Sequence, residues 1–202
     1  MLTHIRPALV LLILFTVLTG LAYPLALTEF AAVALPGTAN GSLVMRGGVV
    51  VGSRLIGQNF TSDHYFHGRL SATSAPDPAD DSKTIDSPYN AANSSGSNLG
   101  PTSAKLLERV KGDVEAMRKD RFEGPIPADA VTTSGSGLDP DISPTFAQEQ
   151  VARVAKARNV PEEQISSLVA KETEGRLFGI LGEPRVNVLA LNLALDEVAP
   201  LK

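Results

Sequence analysis

The chain has 202 residues, a net charge of −4 and a pI near 5.4, and it contains neither cysteine nor tryptophan. Its acidic balance argues against a nucleic-acid-binding protein, because such proteins need a basic surface. The lack of cysteine excludes disulfide bonds, thiolate catalysis and zinc sites built from cysteine.

An uncharged and mostly aliphatic run occupies residues 7–28. A bilayer core about 30 Å thick needs roughly 20 helical residues, so this run is long enough to span it. Residues 8–27 include twelve Leu, Ile, Val or Phe side chains, which together favour insertion by roughly 4 to 7 kcal/mol. Gly20 and Pro24 weaken the helix but are tolerated in membrane spans.

The sequence predicts a cytoplasmic tail over residues 1–6, a transmembrane helix over 7–29 and one mixed α/β extracytoplasmic domain over 36–202. Positive charge flanks only the amino-terminal side of the span, because Arg6 precedes it and the next cation is Arg46. The positive-inside rule therefore leaves the amino terminus in the cytoplasm and sends the domain across the membrane.

A cleaved signal peptide is the alternative interpretation of the apolar run. Arg6 supplies a short positive region, residues 8–21 have a suitable apolar length, and residues 20–22 offer a small-x-small cleavage site. The run continues past that site through Leu25 and Leu27, which favours a retained anchor. Both interpretations place the domain on the same side of the membrane.

The start of the domain has the pattern of a β-hairpin. Gly47 and Gly48 separate two β-rich runs, as in a tight turn, and we expect the second strand to continue to Gln58. Residues 71–103 are rich in Ser, Asn, Asp, Pro and Gly. They are predicted to form a long surface loop, which is unusual unless it is functional or lies against a partner.

Three helices and a closing strand–helix unit are predicted in the rest of the domain. Apolar spacing predicts the first helix over 102–121. The second begins at Ser143, with Pro144 at its first position, and the third begins at Pro161. Residues 186–195 are predicted to form a short strand followed by a helix. The predicted buried positions are Leu107, Val110, Val114 and Met117 in the first helix, Phe146 or Ala147, Val151 and Val154 in the second, and Ile165, Leu168 and Val169 in the third.

Two short segments, residues 95–101 and 134–140, resemble each other and precede predicted helices. Such loops can present backbone N–H groups to an anion at a helix start. They also serve as entry turns that need glycine for a positive φ, which is the interpretation we favour.

Motifs for catalysis and metal binding are weak or absent from the sequence. Residues 47–54 have the glycine spacing of a phosphate loop, but Ser53 stands where the lysine belongs. His64 and His67 with Asp63 are a poor metal set, because an extended segment sends the two rings to opposite sides. No serine-hydrolase motif is present. We predict no catalytic, cofactor-binding or metal-binding residues.

Residues 65–69, Tyr-Phe-His-Gly-Arg, gather two aromatic rings beside a cation. Aromatic and Arg side chains are concentrated at interface hot spots, so this cluster could anchor a partner. It could equally be the end of a core strand with the Arg bound to a loop.

The chain resembles the C subunit of the Kdp-type potassium-transporting ATPase. The matching stretches run in order along nearly the whole chain and are specific as a set. They are residues 6–8, 23–24, 40–42, 52–60, 65–69, 96–101, 134–144, 153–159 and 182–189. One departure is Leu70, where the family usually has Pro.

The resemblance implies a pump in which a channel-like subunit carries potassium, a P-type ATPase subunit hydrolyses ATP, and a small single-span subunit completes the set. The C subunit is then a non-catalytic accessory subunit in the bacterial inner membrane, and the pump needs it for assembly and activity. Membrane lipid is a further expected partner, and nucleic acid is not. The family member is also described as a catalytic chaperone that raises ATP affinity. Potassium and ATP are handled by the partner subunits.

Other functions and the contact residues follow from the same topology. A membrane-anchored extracytoplasmic ligand-binding module is the alternative function, and a tethered serine hydrolase is a distant third. In the span, small side chains that permit close helix packing are predicted to meet another subunit. The predicted partner contacts are Thr16 and Gly20 in the span, and Asn59, Tyr65, Phe66, Arg69, Gly96, Ser97, Asn98 and Leu99 in the domain.

Overall fold

The computed structural model describes residues 2–119 and 124–201. The chain forms two compact units, Met1–Ser53 and Arg54–Lys202. The first unit contains a long apolar helix, a short helix and a β-hairpin, and the second contains the other described helices and strands.

The first unit begins with the long helix that the sequence predicts. Its parts are α1 (Ile5–Val17), a π-helical turn (Leu18–Ala22) and α2 (Tyr23–Ala34). Together they make 30 helical residues that are long and apolar enough to cross a membrane, and in the described structure the most apolar stretch is not buried. This confirms a single amino-terminal helix able to span a bilayer by its length and composition.

The π-helical turn lies immediately before Pro24, which has no N–H to continue the α-helical ladder. Nearby hydroxyl groups bond within the helix. Thr19 Oγ1 donates to the Phe15 carbonyl at 2.6 Å, and Thr28 Oγ1 donates to the Pro24 carbonyl at 2.9 Å. These two hydroxyl groups are thus bonded within the helix, which suits an apolar environment.

A short helix, α3 (Pro36–Ala39), leads into an antiparallel hairpin of β1 (Leu43–Arg46) and β2 (Val49–Ser53). Gly47 and Gly48 occupy its turn with φ of 58° and 82°, so the predicted hairpin is confirmed. The predicted extension of the second strand to Gln58 is wrong. The strand β2 ends at Ser53, which pairs with Leu43, the first residue of β1.

The second unit is a mixed α/β domain with two small sheets. The strands β3 (Ser74–Asp77) and β4 (Asp80–Asp86) form a hairpin, and β5, β6 and β7 form an antiparallel sheet in the order β5-β7-β6. The remaining elements, in chain order, are α4 (Ala104–Lys119), α5 (Ala128–Val131), β5 (Asp141–Ile142), α6 (Pro144–Glu149), α7 (Val151–Arg158), α8 (Glu162–Glu172), β6 (Thr173–Glu174), β7 (Arg185–Asn187) and α9 (Val188–Val198).

Helices α6 to α9 pack around a mainly aliphatic core that also contains Phe66 and Phe146. The Ser143 hydroxyl caps α6 by accepting from the Phe146 N–H at 3.0 Å, and Pro144 takes the first helical position. The predicted second helix is divided at Gln150 into α6 and α7. The predicted positions confirmed as buried are Phe146, Ala147, Val151, Val154, Ile165, Leu168 and Val169.

Two predictions about the middle of the chain need correction. Residues 71–103 are not a continuous loop, because they contain the β3–β4 hairpin, whose strands carry no apolar face that the sequence pattern could reveal. On α4 the predicted burial of Leu107 is wrong, because this side chain is 56% exposed, and its neighbour Leu106 is half-buried instead. The described part of this helix ends at Lys119, so the predicted end at 120–121 lies outside the described residues.

Candidate functional site

The predicted 65–69 cluster lies in an extended segment that has no neighbouring strand in the described sheets. Two buried amide side chains bind its backbone instead. Asn192 on α9 accepts from the Phe66 N–H at 2.8 Å and donates to the Phe66 carbonyl at 3.0 Å. Gln150 accepts from the His67 N–H at 2.8 Å and donates to the His67 carbonyl at 3.1 Å. Each amide replaces the hydrogen bonds that an adjacent strand would supply.

Two arginines of α7 bind the same segment. Arg158, with a side chain only 1% exposed, donates to the carbonyls of His64 and Ala199 at 2.8 and 2.7 Å and to the Asp196 carboxylate at 2.9 Å. Arg153 donates to the Asp63 carbonyl at 2.9 Å. Burying a cation costs little free energy only when the cation is paired and hydrogen-bonded in this way. The burial of Arg158 therefore depends on the His64 carbonyl as well as on Asp196 and Ala199 near the carboxy terminus.

The aromatic residues of the cluster serve the domain itself. Phe66 is 0% exposed and belongs to the core, so it has no surface to offer a partner, which corrects its predicted role as a contact. The Tyr65 hydroxyl donates to Asp196 at 3.3 Å, and its ring lies 4.8 Å from the Arg158 guanidinium carbon. Phe66 is therefore a core residue, but its segment is not a strand, so the core-strand interpretation is right about its burial and wrong about its secondary structure. Asn59 nearby is exposed.

A second polar cluster surrounds Tyr89. Its hydroxyl donates to the Arg69 carbonyl at 2.7 Å, and the Arg69 guanidinium binds Asp139 at 2.9 Å. Two glycines leave room for the ring. A Cβ at Gly57 would lie 2.6 Å from the Asp139 carbonyl oxygen, and a Cβ at Gly68 would overlap the Tyr89 hydroxyl. Burial raises the pKa of Tyr89 to about 12, and the nearby Asp139 carboxylate acts in the same direction.

The two similar loops bind each other. The Ser95 N–H donates to the Ser136 carbonyl at 3.0 Å, and the Thr133 hydroxyl donates to Ser97 at 3.2 Å. A Cβ at Gly96 would lie 2.8 Å from the Gly135 carbonyl, so only glycine permits this approach. Backbone groups of the loops are thus used inside the domain, which supports their interpretation as turns. Asn98 is exposed and Leu99 is half-buried.

Among the residues that the structure describes, no group of three or more His, Asp or Glu side chains is arranged to hold a metal ion. A cleft of about 820 Å³ lies beside α7. Its charged lining is balanced, so it lacks the excess of cations that a polyphosphate needs. The charged lining residues are Asp63, Glu149 and Glu162 together with Lys119, Arg153 and Lys156.

Sequence reasoning missed the side chains that organise this site, although one of them has a visible signal. Asn192 is the only polar residue in the run from Val188 to Leu195, and a lone amide in an apolar helix indicates a buried hydrogen-bonding role. Gln150, Arg158 and Tyr89 have no comparable signal. The predicted contacts Thr16 and Gly20 lie in the first unit, on the exposed surface of the apolar helix.

The fold defines a protein with one helix able to span a membrane and one mixed α/β domain. The family model described as "KdpC: K+-transporting ATPase, c chain" matches residues 5–197. The chain therefore belongs to the KdpC family, which confirms the resemblance found in the sequence.

Individual relatives match over nearly their whole length. The potassium-transporting ATPase KdpC subunit of Methylobacterium nodulans is 65% identical over 199 residues, which is 98% of this chain and 99% of that protein. The subunit of the same name from Bradyrhizobium diazoefficiens is 62% identical over 199 residues, 98% of this chain and 99% of the relative. That of Rhodopseudomonas palustris is 64% identical over 200 residues, 99% of this chain and 100% of the relative.

Replacing Asn192 with Leu should destabilise the domain strongly. The substitution leaves the buried N–H and carbonyl of Phe66 without partners, which should lower the free energy of unfolding by about 2 to 5 kcal/mol. Urea unfolding of the full-length chain in detergent, followed by circular dichroism, measures the change. As a matched control, Gln148→Leu removes an exposed amide bonded to Ser166 and should cost less than about 0.5 kcal/mol. Equal losses in the two variants would contradict the role assigned to Asn192.

The ionisation of Tyr89 should make the domain less stable in alkali. Below pH 10 the phenol is neutral in both the folded and the unfolded chain. From about pH 10 to about 12 the unfolded chain releases this proton while the folded chain keeps it, so the free energy of unfolding falls as pH rises. The difference in phenolate absorbance between the parent chain and Tyr89→Phe measures this single group. A midpoint equal to that of the unfolded chain would refute the assignment.

Proposed function

We propose that the chain is the accessory, non-catalytic subunit of an ATP-driven potassium uptake pump and is needed for its assembly and activity. The observation that carries the proposal is the identity of 62–65% to potassium-transporting ATPase KdpC subunits over nearly the full chain. The proposed partners are a channel-like potassium-translocating subunit, a P-type ATPase subunit and a small single-span subunit.

The described structure supports an accessory role in two ways. A single helix cannot enclose a pore, so potassium passes through another chain. In the domain, the buried and half-buried polar side chains around residues 65–69 bind the backbone or each other. Arg69 binds Asp139, and Gln150 and Asn192 bind the segment around Phe66. These groups stabilise a shape that another subunit can recognise.

The proposed topology has a cytoplasmic amino terminus, one pass through the bacterial inner membrane and an extracytoplasmic domain. Arg6 before the span supports it through the positive-inside rule. A domain on that side faces no cytoplasmic ATP, and the balanced charge of the cleft beside α7 does not favour a polyphosphate. Assembly of the pump is therefore the main proposed role, and raising the ATP affinity of the ATPase subunit would be an indirect effect.

Contact with the pump is proposed at two places. In the helix, a Cβ at Gly20 would meet only the Thr16 methyl group at 4.0 Å, so another helix can approach closely at this point. In the domain, the exposed Asn59 and Asn98 remain the polar candidates, with Gly96, Ser97 and Leu99 beside them. Tyr65 and Arg69 are half-buried and act chiefly by holding this surface in place.

A membrane-anchored ligand-binding module is the second candidate function. The observation that favours it is the cleft of about 820 Å³ beside α7, which is large enough for a small molecule. A chain that binds no small molecule in this cleft would exclude this function. Calorimetry with magnesium-ATP on the full-length chain tests one ligand, for which the balanced charge of the cleft predicts no tight binding.

The pump should depend on this chain and on close packing at Gly20. Without the chain, the purified ATPase should lose potassium-stimulated ATP hydrolysis, and the full-length chain should restore it. Gly20→Leu should reduce co-purification with the larger subunits, because the added side chain blocks the approach of a neighbouring helix. The control Val10→Leu keeps the helix apolar and should co-purify normally. A pump that assembles and works without the chain would disprove the proposed function.

The domain should lie outside the cytoplasmic membrane. Alkaline phosphatase folds into an active enzyme only after export, so its fusion after Lys202 should be active in cells. A green fluorescent protein fused at the same position should stay dark when it is exported through the general secretion pathway. The reverse pattern, with a silent phosphatase and a fluorescent reporter, would overturn the proposed orientation.

A further inference from the structure

A projecting loop between β6 and β7 exposes four large apolar side chains. Phe178 is 83% exposed and Ile180 is 75% exposed, while Leu177 and Leu181 beside them are each more than half exposed. Phe178 is the most exposed large apolar side chain in the described part of the second unit. We call Leu177 to Leu181 the apolar tip. A contiguous exposed apolar patch on a soluble domain marks a site of interaction.

The backbone of the apolar tip is organised rather than open. Leu177 and Leu181 bond reciprocally, N–H to carbonyl, at 2.9 and 3.0 Å. Ile180 N–H donates to the Leu177 carbonyl at 3.2 Å, and Gly179 N–H donates to the Arg176 carbonyl at 2.9 Å. Four N–H groups are thus satisfied within the loop. The tip can enter an apolar environment without leaving these donors unpaired.

The conformation of the tip also directs its aromatic side chain outward. Phe178 has a φ of 54° and Gly179 a φ of 77°, so two successive residues adopt the left-handed region. Glycine does so freely, but a phenylalanine rarely does. The strained position gains nothing from the domain core, because the Phe178 ring is almost fully exposed. Strain of this kind is typical of a residue held ready for a partner.

The charges at the base of the loop favour a protein partner over a lipid surface. Arg176 binds Glu183 at 2.6 Å, and Arg185 binds Glu174 at 3.1 Å and Asp141 at 3.2 Å. Arg54 also binds Glu174, at 3.2 Å, so three cations face three carboxylates. The balance gives no excess of positive charge to attract anionic headgroups. Paired charges around an apolar centre match the polar rim and hydrophobic core of a protein interface.

We propose that the apolar tip inserts into an apolar pocket on another subunit of the same pump, on the side of the membrane where the domain lies. The inference rests on the proposed function, because it takes its partner from the multi-chain ATPase. Within that interface Phe178 and Ile180 are the anchors, since few residues in an interface carry most of its binding energy and aromatic side chains are prominent among them. The Arg176–Glu183 pair lies at the rim.

The experiment uses the absence of cysteine from the chain. Phe178→Cys introduces its only thiol, whose reaction with a maleimide is measured in the purified pump and in the full-length chain alone in the same detergent. The product is quantified on this chain by mass. Assembly should slow labelling about tenfold or more, as expected for a position buried at the centre of an interface. The matched control Ile85→Cys, on the exposed β4 strand, should react at the same rate in both samples.

A second variant tests whether the anchors contribute to assembly. Phe178→Ser combined with Ile180→Ser should lower recovery of the chain with the larger subunits, whereas Leu107→Ser, an exposed apolar position on α4, should not. Both variants change exposed side chains, so thermal unfolding of the full-length chain should be the same for each. Equal recovery of the two variants would overturn the inference.

The remaining outcomes separate the other possible occupants from the proposed one. Equal labelling of the Phe178→Cys variant in the pump and in the chain alone would overturn the inference while leaving the proposed function intact, because the pump has assembled. Protection of the chain alone in vesicles of phosphatidylethanolamine and phosphatidylglycerol would assign the tip to lipid and overturn the inference. A disulfide-linked dimer of the variant chain alone would assign the tip to a second copy, with the same consequence. Failure to recover any pump with the chain would refute the proposed function and the inference together.

Discussion

The domain depends on how it satisfies the backbone of residues 63–67, which lies outside the described sheets and places Phe66 in the core. Buried N–H and carbonyl groups must be paired, and here the partners are the side chains of Gln150, Arg158 and Asn192. Gln150 lies at the junction of α6 and α7, Arg158 on α7 and Asn192 on α9. The segment therefore joins the start of the domain to its carboxy-terminal helix, and α7 cannot move away from α9 without breaking bonds to buried groups.

This constraint explains why several matching stretches of the family occur together. Arg153 and Arg158 belong to the 153–159 stretch. They donate to the carbonyls of Asp63 and His64, which come just before the 65–69 stretch. Farther along, Arg69 binds Asp139 in the 134–144 stretch. Stretches that are far apart in sequence are therefore partners in one packed structure.

The surfaces left over indicate how the protein acts. Its apolar helix is not covered by the described structure along its most apolar stretch, and the apolar tip around Phe178 is exposed as well. A membrane or another helix can cover the apolar helix, and we assign the apolar tip to another subunit of the pump. Two exposed apolar surfaces on one chain are typical of a protein that assembles with other chains, which agrees with membership of a pump family.

The sequence by itself determined the features that rest on local pattern. The apolar helix, the Gly47–Gly48 hairpin and the buried positions of α6 to α8 follow from length, turn chemistry and periodicity. Tertiary structure alone decided that Phe66 is core, because its backbone partner Asn192 is 126 residues away. It also decided that residues 74–86 form a hairpin and that the apolar tip stands clear of the core. Exposure and long-range pairing depend on which elements meet, and no local pattern carries that information.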